Sequence, residues 1–196
     1  MAHISTMQDL GTTAPYFSLP NTNTKIGSDT VTLDDFVENP ALLVAFYCNH
    51  CPYVIHIRDS FVKFASEYTS KGLAIVAICA NDVETHPDDS PEHMERQALQ
   101  FGYPFAYLYD ESQKIAKDYR AACTPDFFLY DKSRKLVYRG QFDGSRPGNN
   151  IVVTGTDLRA AADALLQGAE VALEQNPSMG CNIKWRAGME PDYFGV

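Results

Sequence analysis

Continuous apolar runs alternate with amphipathic stretches along most of the chain. Residues 41–47, "ALLVAFY", are unbroken apolar positions with β-branched and aromatic members, the pattern of a strand buried on both faces. Residues 73–80, "LAIVAICA", repeat that pattern. Between them, apolar side chains fall at Val54, Ile57, Phe61, Phe64, Ala65 and Tyr68, with Arg58, Asp59, Lys63 and Glu67 off the stripe. This three-four spacing predicts an amphipathic helix. Pro52 suits its first turn, where a missing N–H costs nothing, and Lys71-Gly72 marks its end. Ser90-Pro91-Glu92 opens a second helix running to about Phe101. Residues 105–110 predict a short strand, and Asp110 with Gln113 predicts a capping box for a helix through Tyr119. Residues 126–131 and 135–142 predict an antiparallel hairpin turning at Lys132-Ser133-Arg134, followed by the loop "GSRPGNN". Residues 156–167 predict a last helix with Leu158, Ala161, Ala162 and Leu165 on one side. Nearer the start, residues 14–20 read as an edge strand fenced by prolines, and residues 31–36 as a short strand entering a turn.

Strand–helix alternation that ends in a hairpin and a helix predicts an α/β three-layer sandwich, with a central mixed β-sheet and helices on both faces. The expected organisation is an N-terminal arm (1–13), one domain (14–176) and a tail (177–196). Trp185, Tyr193 and Phe194 make the tail too aromatic for a solvated extension, so it should pack on the domain.

Composition narrows the chemistry. A chain of 196 residues, 45% hydrophobic and 21% charged, suits one globular domain. Its net charge of −9 opposes nucleic-acid binding, which depends on Lys and Arg neutralising phosphates. No apolar run reaches the roughly 20 residues that span a membrane. The opening residues lack a basic segment followed by an apolar one, so a cytoplasmic, reducing setting is expected.

Five cysteines remain to be placed: Cys48, Cys51, Cys79, Cys123 and Cys181. Two fall in "FYCNHCPYV", where a buried strand gives way to a helix. If Pro52 is the first helical residue, Cys51 is the N-cap. There the first-turn N–H groups and about half a positive charge favour thiolate over thiol. Cys48 stays at the strand's end, a near partner able to close a disulfide. Cys51 is therefore the expected attacker. The pair could instead be inert, or half of a zinc site completed by His50, His56, Cys123 or Cys181, though no second Cys-x-x-Cys is present. His50 either raises the thiolate content of Cys51 or is a solvated loop histidine, and His86 and His93 read as solvated. Cys79, inside a strand, reads as core.

The segment "APYFSLPNTNTKIGSDTVTLDDF", with "NPALLVAFYCNHCP" and "CTPDFFLYD", resembles the thioredoxin-like redoxins, the superfamily that holds membrane-tethered thioredoxins and peroxiredoxins. "CNHCP", "DGSRPGNN" and "GCNIKW" resemble its AhpC/TSA-type, peroxiredoxin-like branch. The resemblance implies the thioredoxin-like fold, a cis Pro125 facing Cys51, and Thr124 and Pro125 presenting backbone to an extended substrate chain while keeping metals off the thiols. If Pro125 is cis, Cys123 either reaches the site or is a small buried hydrophobe. Cys181 could resolve, staple the tail to Cys123, or stay free.

Register separates this chain from both better-known groups. In thioredoxins the first cysteine of the pair follows the strand phenylalanine by five positions. Counting from Phe46 places that cysteine at Cys51, and the second would fall on Val54. The peroxiredoxin Pro-x-x-x-Thr-x-x-Cys pattern would need Pro at Val44 and Thr at Cys48. The peroxiredoxin arginine would fall near Pro125. The expectation is a thiol–disulfide oxidoreductase with Cys51 as nucleophile and Cys48, or Cys123, resolving. The alternatives are a thiol peroxidase using Cys51 and a non-catalytic redox-sensing or metal-binding module. No cofactor is expected. The partners would be a protein or small-molecule disulfide or peroxide and a thiol reductant, with no nucleic acid and no membrane.

Overall fold

The computed structural model describes residues 2–195, so Met1 of the predicted arm and Val196 of the predicted tail lie outside the described residues. The strands, in chain order, are β1 (Ala2–Ile4), β2 (Ser18–Pro20), β3 (Thr30–Thr32), β4 (Ala41–Phe46), β5 (Leu73–Cys79), β6 (Ala106–Tyr109), β7 (Cys123–Thr124), β8 (Asp126–Tyr130), β9 (Leu136–Gly140) and β10 (Met179–Asn182). The helices are α1 (Pro52–Thr69), α2 (Pro91–Phe101), α3 (Lys114–Asp118) and α4 (Thr156–Leu166).

A five-stranded sheet in the order β6-β5-β4-β8-β9 forms the middle layer. β4 runs parallel to β5, and β5 to β6, while β8 pairs antiparallel with β4 and β9. Every residue of β4 and β5 is buried, as their apolar runs require. Alternation along β4 divides the core. Ala41, Leu43 and Ala45 face the layer of α1, α2 and α4, whereas Leu42, Val44 and Phe46 face α3, the β2–β3 hairpin and the tail's Ile183 and Trp185. This is the expected three-layer α/β arrangement with a mixed sheet.

The predicted stripe of α1 is buried as read, from Val54 through Tyr68. The Phe61 ring meets Tyr47, Phe105, Phe127 and Phe142 at centroid distances of 5.3–5.9 Å. Burying such a ring contributes about 1.5–3 kcal/mol. Tyr68 adds a hydrogen bond from its hydroxyl to Asp163 of α4, 2.8 Å long. These contacts hold α1 against the sheet and fix where its N-terminus sits. The helix stops where Gly72 takes φ +100°, a left-handed conformation open to glycine.

Several local readings are corrected. The edge strand expected over residues 14–20 is confined to β2, which pairs with β3 in a separate two-stranded sheet. Part of the arm is a strand, which the sequence pattern did not predict. β1 joins β10 and β7 in a third, antiparallel sheet. The Asp110–Gln113 capping box does not form. Asp110 instead accepts the N–H of Ala116 at 2.9 Å. The Gln113 side chain donates to the carbonyls of Ala80 and Lys184 and accepts the N–H of Arg186, so its amide anchors the tail.

Candidate active site

Cys51 is the N-cap of α1 and Pro52 its first residue, as the sequence predicts. The Cys51 carbonyl accepts the N–H of Ile55 at 2.9 Å, which starts the helical ladder and points the side chain across the end of α1. Its Sγ reaches the Thr124 carbonyl at 3.1 Å. Cys48 Sγ lies 3.2 Å from the Thr124 hydroxyl. The Thr124–Pro125 bond is cis. Thr124 thus contacts both cysteines, one through its backbone and one through its side chain.

The two thiols are electrostatically unlike. Hydrogen bonds from the Cys181 and Cys48 thiols, with the N–H groups of Val54 and Cys181, hold the Cys51 thiol well below its ordinary range, against the opposing effect of burial. The Thr124 carbonyl favours the protonated form, and the four donors outweigh it. Burial, then the bond to Cys51 and the charge of Asp89, push Cys48 up. Of the three neighbouring thiols, Cys51 is thus the one biased toward thiolate, and Cys48 and Cys181 are biased toward the protonated form.

The turn carrying Cys48 and Cys51 is held by a carboxylate that sequence reasoning missed. Asp89 accepts the N–H of Asn49, the Asn81 amide and His50 Nδ1, each at 2.7 Å. Burial raises its carboxyl, but the bonds from His50 and Asn81 win and keep it below its usual range. Asp89 in turn raises His50, whose ring stacks on His86 at 5.0 Å. His50 is neither a plain solvated histidine nor a direct partner of Cys51, and the half-buried His86 is not simply solvated. Nothing in the acidic loop of the sequence singled out Asp89, because its partners come from two other segments.

Ligand atoms of Cys48, His50 and Asp89 lie within 4.8 Å of one another. Both Asp89 oxygens already hold the turn together, so a metal there would displace those bonds. His56, offered as a zinc ligand, projects from the first turns of α1 and is not among these three.

Cys123 is fully buried with its Sγ 3.7 Å from the Pro125 carbonyl, and burial raises its thiol. It is the neighbour of Thr124 on β7, so strand alternation turns it away from the face that meets Cys48. Cys79 lies in the core of β5. Cys181 lies beside Cys51: its thiol is raised first by hydrogen bonding to Cys51, then by burial and by the Cys51 charge. β10 brings it there by pairing Cys181 with Thr124. The Thr124 backbone, expected to receive an external chain, is occupied by the protein's own tail.

The family model described as AhpC/TSA family matches residues 10–139. A hypothetical protein from Sinorhizobium meliloti is 52% identical, with a TM-score of 0.91, over 94% of this chain and 99% of that one. An uncharacterized conserved protein from Geobacillus kaustophilus is 49% identical, with a TM-score of 0.92, over 96% of this chain and 98% of that one. The thioredoxin domain of a thiol-disulfide oxidoreductase from Bacteroides vulgatus shares the fold at 18% identity and a TM-score of 0.54, over 67% of this chain and 88% of that one. No curated protein matches. Among the described residues, no helix is long and apolar enough to cross a membrane.

Proposed function

The chain belongs to the AhpC/TSA family, and from that premise we propose that it is a thiol–disulfide oxidoreductase with Cys51 as nucleophile and Cys48 as the resolving thiol. One observation carries this reading: two cysteines sit three apart where α1 begins, Cys51 as its N-cap, and both thiols meet Thr124 of the cis Thr124–Pro125 pair. The Cys51 thiolate attacks one sulfur of a substrate disulfide. A Cys51–substrate disulfide forms, and the other half leaves as a thiolate. Cys48 then gives up its proton to that leaving thiolate and attacks Cys51. A Cys48–Cys51 disulfide results, and the bound half is released as a thiolate. The order fits the electrostatics. While Cys51 is anionic, its charge and hydrogen bond keep Cys48 protonated. Once Cys51 is in the mixed disulfide, both influences lapse and only burial and the neighbouring Asp89 and Cys79 still favour the proton. An external thiol, the expected partner in a reducing cytoplasm, returns the pair to the dithiol.

The test is turnover of glutathione disulfide or insulin by the protein, with peptide mapping of the oxidised product. A Cys48–Cys51 disulfide is expected, and its absence together with an unreactive Cys51 would reject the reading. A second reading, thiol peroxidase, has one observation in its favour: Cys51 is 0% exposed, which suits a small oxidant. The donors that a peroxiredoxin places at positions 48 and near 125 are replaced by Cys48 and Pro125. Loss of one such preorganised donor costs about 10²–10³ in rate elsewhere. Slow consumption of hydrogen peroxide in a stopped-flow assay is therefore expected. A rate above that of disulfide exchange would make this the leading function.

A further inference from the structure

Cys48 and Cys51 are 1% and 0% exposed, so little of either sulfur is open to an external thiol. Cys181 is only half-buried. It stands on β10, the central strand of the three-stranded sheet, between Ala2 of β1 and Thr124 of β7. The strand is built to lie close. A side-chain carbon at Gly180 would overlap the Thr124 carbonyl, so glycine alone fits there. Beyond β10 the chain is tied again, where Lys184 gives its N–H to Asn81 Oδ1 at 2.8 Å and its carbonyl to the N–H of Asp82 at 2.8 Å. A strand held on both edges and anchored past its end is a fixed part of the site.

Resting on the Cys51 reading above, we infer that Cys181 is a relay thiol: β10 presents it to Cys51 as an internal substrate strand, and it carries reducing equivalents between the buried Cys48–Cys51 pair and an external thiol. In the reductive half-reaction the Cys181 thiolate attacks Cys51 Sγ of the Cys48–Cys51 disulfide. The Cys51–Cys181 disulfide forms, and Cys48 leaves as a thiolate that takes the proton Cys181 has lost. An external thiolate then attacks the half-exposed Cys181 sulfur and expels Cys51. A second external thiol frees Cys181, so two thiols become one disulfide while the protein gains two electrons. The direction of the second step follows from its leaving group. Exchange is faster when the departing sulfur is the better-stabilised thiolate, and Cys51 has the donors of the helix end. Two of the influences that keep Cys181 protonated, the bond to the Cys51 thiolate and its charge, are absent once Cys51 is in a disulfide, and Lys184 then favours the anion.

Full-length protein and its Cys48→Ser, Cys181→Ser and Cys51→Ser variants would be oxidised with glutathione disulfide and mapped by mass spectrometry, then reduced with glutathione under stopped flow. Cys48→Ser should close a Cys51–Cys181 disulfide and retain no glutathione. Cys181→Ser should form the Cys48–Cys51 disulfide and be reduced by glutathione at least about tenfold more slowly than the parent. A Cys51–glutathione adduct that persists in Cys48→Ser with Cys181 reduced would overturn the relay and leave Cys51 as the nucleophile. Unchanged reduction kinetics in Cys181→Ser would overturn it equally. If Cys51 stays reduced in every variant that keeps it, the underlying reading fails and the relay with it.

Discussion

Cys51 has a thiol on either flank, and the two flanks are built differently. Cys48 comes from three residues back in the chain, on a turn that Asp89 locks through three hydrogen bonds. Cys181 comes from the far end of the sequence, on a strand paired on both edges yet half open to solvent. One flank is rigid and sealed, the other rigid and accessible. A single side chain spans them: the Asn81 amide donates to Asp89 while its oxygen accepts the N–H of Lys184. Burial and accessibility, rather than proximity to Cys51, therefore distinguish the two thiols.

Replacing the shared centre should have the largest effect. Cys51→Ser should abolish disulfide exchange, by about a thousandfold or more, because both flanks act only through its sulfur. An appreciable residual rate in the insulin assay would mean that Cys48 or Cys181 attacks directly.

Loss of the sealed flank comes next. Asp89→Ala leaves the N–H of Asn49, the Asn81 amide and His50 without their acceptor. It should cost about 3 kcal/mol of stability and slow Cys48–Cys51 closure more than Cys51–Cys181 closure. Chemical denaturation and peptide mapping read the two effects separately, and equal slowing of both closures would dissolve the distinction between flanks.

The open flank can be strengthened. Asp126 is fully buried beside the strand that pairs with β10. Burial pushes its carboxyl up to about 7, only partly offset by Ser5, Ser178 and the N–H groups of Ala122 and Phe127. Its folded pKa lies above the unfolded value of about 3.9, so the folded state binds the extra proton and stability falls as pH rises through that interval. Asp126→Asn should raise stability by about 2 kcal/mol at pH 8, less than the full linkage because the amide needs partners of its own, with little change at pH 4. Thermal melts at the two pH values check this. A gain equal at both would point to packing instead of charge.

Cys123→Ala should have the smallest effect. Its thiol faces the Pro125 carbonyl, so exchange rates should stay within about twofold while stability falls by about 1 kcal/mol. A large loss of turnover would bring Cys123 into the site.

Local pattern carried the fold and the centre of the site. The α1 stripe, the two buried strands and Pro52 behind Cys51 are short-range signals, and each element forms where its own residues place it. Long-range partners left no such trace. Asp89 sits in an acidic loop that reads as solvated, and its role exists only because β5 and the cysteine turn converge on it. Gln113 fits a capping box locally, yet its amide is taken by a tail that arrives much later in the chain. The arm's β1 has three residues and no alternation to betray it, and it forms because β10 offers an edge. Cys181 was visible as a cysteine. Its place against Cys51 depends on a strand pairing that spacing does not reveal.

Thiolate absorbance near 240 nm, titrated in the parent protein and in Cys51→Ser, tests the central claim without requiring a reagent to reach the buried sulfur. The difference between the two should show one thiolate fully present at pH 6 and still present under mildly acidic conditions, because the donors at the end of α1 hold Cys51 well below its ordinary range. A difference that develops only above about pH 8.5, as for a free cysteine, would contradict Cys51 as the resident nucleophile.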